Sequence, residues 1–432
     1  MNTRTRFKLP SLHVLAAGLT LFIISGTNFA AVDAPYEVGT WANFCQGAVS
    51  HTFDDNTAGQ TSTAQPLFDE KKFHMTLFTV SSSMNPNWTN LKKAFEKGHE
   101  IASHSVTHGG TMPDAECPTS QKAIQQNVPG EKCITIAYPN CNIPNPQTEL
   151  KKCYVAGRIC DNQIASKTPA DFYRVVSMMG GTAGTNTASG FNSKADEAAT
   201  KGGWLVWCHH GVGNDGHGYS NTATDALKGN ITYLDQNRAK IWTAAFGEVA
   251  RYIKERDAAS VTKKDSTDNG ITISVTDNLP DSIYNYPLSI RRPLPSGWTT
   301  AVVTQKGKAV DDSIITVNSK QYVMFQAIPD GGDVVISKSG TAVIHRSSTR
   351  IDDGIAPVTR QKSTLIIDAR RFNGEGTTVT LFDLTGKVLS RYALHAGETS
   401  VELSPIGITT TAFIATIRGN GTTWSGMFMP QM

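Results

Sequence analysis

Two short stretches carry side chains whose types and spacing could do metal-assisted chemistry. Thr52-Phe53-Asp54-Asp55 closes a strand-like run, Ala48 to Phe53, with two adjacent carboxylates. His104-Ser105-Val106-Thr107-His108 follows, with two imidazoles four residues apart. Two neutral imidazoles and one carboxylate make a facial ligand set that leaves positions open for water and substrate. The remaining aspartate would then stand beside the cation as a base, which suits hydrolysis. Each pair alone also has a plainer explanation: adjacent acids are often solvated loop residues, and histidines at i, i+4 often share a helix face.

Two later stretches fit the same chemistry. Ile136-Ala137-Tyr138-Pro139-Asn140 is a strand that ends in proline, so the next backbone amide can point into a site and stabilise an oxyanion. Trp204-Leu205-Val206-Trp207-Cys208-His209-His210-Gly211 is an apolar strand that delivers two histidines to its end. Successive strand residues point to opposite faces, so only one of the two faces the site. His210 is the better choice, because Gly211 lets the chain turn away directly after it; His209 is the fallback.

The elements that must position these residues alternate. Ala48–Phe53, Phe73–Val80, Ile101–Ser103, Ile134–Ala137, Val175–Met178, Trp204–Cys208 and Ile241–Ala244 read as strands. Helices are marked by Leu91, Ala94 and Phe95, by Leu227, Ile231 and Leu234, and by Val249, Tyr252 and Ile253. Such alternation predicts an α/β domain, a parallel sheet closed, wholly or in part, as a (β/α) barrel over residues 31–260. Catalytic groups of such barrels gather at the C-terminal ends of strands, where Asp54, Asp55, His104, His108 and the segment after Cys208 all fall.

With 432 residues the chain is long enough for two or three domains. Hydrophobic residues make up 39% and charged ones 18%, which predicts ordinary packed cores rather than disorder. Residues 1–30 read as a secretory signal peptide, with Arg4, Arg6 and Lys8 before an apolar run, Val14 to Gly26, and small residues at Ala30 and Ala31. An uncleaved N-terminal anchor is the competing reading. Loss of those three cations brings the 40 basic residues level with the 37 acids. A neutral mature chain gives no reason to expect nucleic acid or an anionic membrane as partner, and no membrane span is expected in it. The seven cysteines all lie in the first half and, in an exported protein, predict disulfides with one thiol left over. Cys153 with Cys160 and Cys117 with Cys133 are candidate pairs. Beyond residue 260 short Val/Ile/Thr-rich runs alternate with turns. They predict antiparallel β-sandwich modules, one over 261–346, a polar linker over 347–362 and a β-rich module over 363–432.

In their order along residues 45–256, Thr-Phe-Asp-Asp at 52–55, His-Ser-x-Thr-His at 104–108, Tyr-Pro at 138–139 and His-Gly at 210–211 resemble the motifs of polysaccharide deacetylases, carbohydrate esterase family four. The resemblance implies a distorted barrel and a role for each residue. Asp54 would be the general base, and Asp55, His104 and His108 would hold one divalent cation. The Asn140 amide would hold the oxyanion, and His210 would be the general acid. A divalent ion lowers the pKa of bound water from near 16 to about 7, so hydroxide is available at neutral pH. Zinc is the first expectation, with cobalt and nickel also compatible. Two family features are missing: an arginine just before the Tyr-Pro motif, where Ile136-Ala137 stands, and an Asp-x-x-Asp-Trp element that tunes the acid histidine. Arg174, at the start of a strand, is a candidate replacement for the missing cation.

The expected activity is removal of acetyl groups from a carbohydrate polymer by a secreted or cell-surface enzyme. O-acetyl groups of xylan come first, and N-acetyl groups of chitin or peptidoglycan are the alternative. A barrel that has lost catalysis and only binds carbohydrate is the reading from another class. The 261–346 segment resembles a sandwich that accompanies one branch of the family. It would pack on the barrel and shape a cleft wall, or serve only stability. The stretch Leu381-Phe382-Asp383-Leu384-Thr385-Gly386-Lys387 resembles C-terminal sorting modules, which implies surface-secretion machinery as a partner. A carbohydrate-binding module is the competing reading there.

Overall fold

The computed structural model describes residues 31–338 and, beyond them, the strand segments 358–361, 364–367, 378–383, 388–393, 401–403, 413–419 and 422–428. The leader at 1–30 and most of the 347–362 stretch lie outside the described residues.

Eight strands form one parallel sheet. They are β1 (Gly47–Asp54), β2 (Thr76–Thr79), β3 (Glu100–Ser103), β4 (Thr135–Ala137), β5 (Ala156–Arg158), β6 (Met178–Met179), β7 (Trp204–His209) and β8 (Ile241–Thr243). Their order is β5-β4-β3-β2-β1-β7-β6, and β8 pairs with the first half of β1. The sheet curls back on itself. Just before β6, Val175 makes a parallel bridge to Arg158 of β5, donating to Gly157 O at 2.9 Å and accepting from Ile159 N at 2.8 Å. Helices α1 (Gln65–Lys71), α2 (Trp88–Glu96), α3 (Glu116–Asn127), α4 (Ala188–Lys201), α5 (Thr224–Gln236) and α6 (Phe246–Ala258) complete the unit.

The two faces of each strand separate the core into two parts. Val49, Phe53, Leu77, Ile101, Ile136, Leu205 and Trp207 point outward and pack against Phe68, Leu91, Ile124, Phe191, Leu227 and Ile231 of the helices. Ala48, Phe78, Ala102, Ala137, Ala156 and Val206 point inward. Small residues dominate that inner set, as the narrow interior of a curled sheet requires. The period of two then decides which groups reach the inside of the rim: positions 54, 104, 158 and 208 continue the inward rows.

The expected strands fall where the pattern put them, with one omission. Residues 156–158 form β5, which the apolar pattern does not mark because it holds one small aliphatic, one glycine and one arginine. Position 157 must be glycine here: a Cβ would stand 2.1 Å from Tyr138 Oη. The expected strand Val175–Met178 is reduced to a bridge at Val175 and the pair Met178–Met179.

After α6 the chain forms two antiparallel sheets. One holds β9 (Ser260–Ser266), β10 (Gly270–Thr276), β12 (Val302–Gln305) and β15 (Val334–Ser337), ordered β9-β10-β15-β12 and edged by Lys308–Ala309. The other holds β11 (Leu288–Pro293), β13 (Asp312–Val317) and β14 (Lys320–Ala327), with Glu37–Val38 on the outside of β11. Strict alternation along β10, Ile271, Ile273 and Val275 buried between half-buried neighbours, meets Leu288, Ile290, Val323 and Phe325 of the facing sheet. The same core takes in Tyr252 and Ala259 from the barrel unit. Bonds joining the two units run to α6 and to the segment before β1. Tyr286 N donates to the buried Glu255 at 2.9 Å, and Asn43 N to Ser289 Oγ at 2.7 Å.

In the C-terminal part Val358–Gln361 pairs with Thr364–Ile367, so a strand stands at the end of the stretch read as a linker. Thr378–Asp383, Val388–Ala393, Phe413–Gly419 and Thr422–Phe428 make a four-stranded antiparallel sheet. Residues 384–387 of the proposed sorting motif lie outside the described residues.

Candidate metal and catalytic site

The first carboxylate pair sits where β1 ends. Asp54 is inward and 3% exposed, and Asp55 follows in the left-handed region with φ 75°. Ser105 (φ 67°), His108 (φ 56°) and Asn140 (φ 51°) are also left-handed. Such positions cost about 1–3 kcal/mol each for non-glycine residues and persist only where the surroundings over-determine them. Four of them at three strand ends mark the rim as a built site.

Asp55 Oδ1 is 3.5 Å from His104 Nε2 and 3.3 Å from His108 Nε2. Metal–nitrogen and metal–oxygen bonds of about 2.0–2.1 Å on a tetrahedron place neighbouring ligand atoms roughly 3.4 Å apart. The spacing therefore fits one small cation, and the three groups offer ligand atoms all within 4.8 Å of one another. Asp55 Oδ1 is buried with no hydrogen-bond partner, a cost that a cation would relieve. His104 Nδ1–H donates to Ala137 O at 2.8 Å, which leaves the Nε2 lone pair facing the carboxylates. Burial works against an ionised Asp55, but His104, His210 and His108 outweigh it and hold its pKa down at about 2. Burial likewise opposes charge on His104, and there Asp54, Asp55 and the Ala137 carbonyl win and raise its pKa. His108 falls below its ordinary value, from burial first and then from His104.

Asp54 lies between an imidazole and a guanidinium. His104 Nε2 is 3.7 Å from its Oδ2, and the guanidinium of Arg158 is in contact with the same oxygen. Arg158 is 1% exposed and also lies 5.4 Å over the ring of Phe78. Cys208 Sγ reaches Asp54 Oδ2 at 3.7 Å, and burial raises that thiol's pKa far above the usual range. Asp54, Cys208 and His210 form a second cluster of possible ligands. A protonated thiol and the adjoining guanidinium make it a poor cation site, which leaves Asp54 as the carboxylate beside the first cluster.

His210 follows β7 on the inward face. Its Nε2 is 3.9 Å from Asp55 Oδ2, its Nδ1 is buried without a partner, and burial lowers its pKa. His209 points the other way. Its Nε2 is 3.0 Å from His51 Nδ1, and its Nδ1 is 2.9 Å from Thr222 Oγ1, beneath the outer helices. The alternation argument thus separates the two histidines as stated, and His209 is not at the rim. Asn140 is exposed in the turn Pro139–Cys141, directly after the strand whose Ala137 carbonyl anchors His104.

Residues 42–145 match the family model of polysaccharide deacetylases. This region is a polysaccharide deacetylase domain. A gellan lyase from a Bacillus species is 28% identical over 331 residues, 69% of this chain, and the chain spans only 13% of that relative's length. Three solved structures illustrate the likeness. The carbohydrate esterase domain of a multidomain xylanase from the hindgut metagenome of Trinervitermes trinervoides is 18% identical with a TM-score of 0.33, covering 47% of this chain and 89% of that one. A peptidoglycan deacetylase of Bacillus subtilis is 16% identical with a TM-score of 0.34, covering 49% and 93%. A family 4 acetyl xylan esterase from Clostridium thermocellum, solved with a cobalt ion, is 16% identical with a TM-score of 0.33, covering 47% and 89%.

Two expectations about the deacetylase domain are corrected. Arg174 is not at the site: it is exposed in the helical turn Phe172–Arg174, and the cation on Asp54 is Arg158, from the end of β5. In place of several disulfides with one thiol left over there is a single bridge, Cys141–Cys160, and Cys45, Cys117, Cys133, Cys153 and Cys208 are free. Three groups at the rim had no place in the sequence reading: Arg158, Cys208 and His217. A signal existed for Arg158, since an arginine directly after Val155-Ala156-Gly157 is a charge in a strand-length buried run. His217 is the one histidine of a glycine-rich segment, Gly211 to Gly218.

Proposed function

We propose that the domain is a metal-dependent deacetylase that hydrolyses acetyl groups on a carbohydrate polymer, with O-acetylated xylan the first candidate. The observation that carries the reading is the convergence of Asp55, His104 and His108 at tetrahedral-edge spacing, with Asp54 beside them. Asp55, His104 and His108 would hold the cation, and zinc, cobalt and nickel all suit two imidazoles and a carboxylate. When bound, such an ion supplies Lewis acidity, which polarises a carbonyl and makes water more acidic.

The chain's own groups do the rest. Asp54, fixed by Arg158, takes the proton of the attacking water as its oxygen bonds to the acetyl carbon. The amide of Asn140 donates to the oxyanion that develops. His210 carries a proton to the departing sugar oxygen or nitrogen as that bond to the acetyl carbon breaks, and acetate remains. Its lowered basicity makes the protonated ring a ready donor. Export, through the 1–30 leader, and surface attachment, through the C-terminal module, belong to the same proposal.

The test is acetate release from acetylxylan, chitin oligomers and peptidoglycan by the full chain, with and without chelator, beside an Asp54→Asn variant. The reading expects chelator-sensitive release that D54N abolishes. Release untouched by both treatments contradicts it, and carbohydrate binding without release supports the non-catalytic alternative.

A further inference from the structure

The loop after β7 places one more imidazole at Asp55, on the side away from the two histidines that face Oδ1. His217 Nε2 is 3.7 Å from Asp55 Oδ2 and is buried with no hydrogen-bond partner. Its ring lies nearly parallel to that of His210, with centroids 5.9 Å apart. His217 does not join the cluster in which Asp55, His104 and His108 offer ligand atoms within 4.8 Å of one another. Two ligands of one ion with bonds of about 2.1 Å stand no more than roughly 4.2 Å apart. His217 is therefore placed to touch the ligand Asp55 rather than the ion.

The loop is held so that this contact is reproducible. Asp215 accepts from Val212 N at 2.9 Å, from His217 N at 3.0 Å and from Gly59 N at 3.2 Å. One carboxylate thus ties the loop to itself and to the segment following Asp54-Asp55. Asn221 Nδ2 donates to His217 O at 2.9 Å, and Val212 bridges Thr222 across the loop's base. Gly211 makes the crossing possible: a Cβ there would stand 1.8 Å from Asn221 Oδ1 and 2.8 Å from His217 Cβ. The loop lies outside residues 42–145, so the family match says nothing about it.

We propose that His217 is a positioning residue for the metal ligand Asp55: its Nε2–H, which has no other partner, closes the 3.7 Å gap to Asp55 Oδ2 when the cation is bound, so that Oδ1 is presented to the cation shared with His104 and His108. A carboxylate ligand has a soft terminal torsion, and an outer partner that fixes it strengthens metal binding. The inference rests on the reading of Asp55, His104 and His108 as ligands. Outer partners of this kind are worth about 10–100-fold in metal affinity.

The test measures zinc affinity of the full chain by competition with a chromophoric chelator, for wild type, His217→Ala, His217→Gln and His104→Ala. H217A should bind zinc about 10–100-fold more weakly than wild type, and H217Q, which keeps a donor of similar reach, should recover part of that loss. H217A within twofold of wild type overturns the proposal, and so does an H217Q variant no better than H217A. If H217A does not fold, H217Q carries the decision, its affinity lying between those of wild type and H104A. Wild-type protein that binds no zinc, or H104A that binds as wild type does, brings down the ligand reading itself, a result distinct from failure of His217 alone.

Discussion

Replacing Arg158 by glutamine should expose how the site keeps Asp54 in place. Both groups are buried, 1% and 3% exposed, and the guanidinium is in direct contact with Asp54 Oδ2. Two unit charges at about 4 Å attract by about 4 kcal/mol at an effective dielectric near 20. Removing one member of such a buried pair commonly costs about 3–5 kcal/mol, because the other is left buried and uncompensated. We expect Arg158→Gln to lower unfolding stability by about that amount in urea titrations. Deacetylation should fall about 100-fold, since about 3 kcal/mol of lost transition-state stabilisation corresponds to roughly that factor. The cause is separable in a double-mutant cycle on stability. Asp54→Asn alone strands the guanidinium, whereas the double variant removes both charges. The cycle should therefore show a coupling of about 2 kcal/mol or more. Additivity within about 0.5 kcal/mol, together with R158Q activity within threefold of wild type, refutes the reasoning.

Further outcomes follow from the same structure. Glu255 is fully buried, and burial pushes its pKa up to about 8 against the amide of Tyr286 and the charge of Arg251. The folded chain keeps that proton while the unfolded chain releases it near pH 4.5, so this group's contribution is largest at low pH and is lost as pH rises from about 4.5 to 8. Urea midpoints of wild type should therefore fall between pH 5 and pH 8 relative to those of Glu255→Gln, by a few kcal/mol in free energy; parallel profiles contradict this. Tyr219 is 52% exposed, with its ring edge-on to His210 at 4.9 Å. Tyr219→Ala should raise KM for a polymeric substrate about tenfold and leave p-nitrophenyl acetate hydrolysis unchanged, as expected for an aromatic face worth about 1–1.5 kcal/mol. An equal loss on both substrates would assign Tyr219 to the chemistry instead.

The part of the site that was legible in the sequence is the part governed by strand parity. Asp54, His104 and His210 stand at strand ends on the inward rows, and Asp55 and His108 are carried with them by motif spacing. Choosing His210 over His209 needed only the alternation of β7 and the glycine after it. Arg158 escaped because β5 is three residues long and holds a glycine, so it has no hydrophobic period to read. Arg174 was favoured from a strand start that the fold makes into an exposed helical turn. The disulfide failed for a related reason. Short sequence separation favoured Cys153–Cys160, but β4 and β5 are neighbours in the sheet, which brings Cys141 beside Cys160 across 19 residues. Helix α3 went unmarked because its buried face is Cys117, Ser120 and Ile124, and α4 because its face is mostly alanine. Neither makes a strong apolar stripe. The sandwich was readable from alternation along strands such as Ile271-Ile273-Val275, whereas its attachment to α6 through Tyr252 and Glu255 depends on contacts distant in sequence.

The most direct test of the central claim is metal stoichiometry and affinity by titration calorimetry on chelator-stripped full-length protein, beside Asp55→Asn, His104→Ala and His108→Ala. The account predicts one divalent cation per chain for wild type, with binding abolished or weakened by orders of magnitude in each variant. No binding by wild type, or an unchanged isotherm in all three variants, contradicts it.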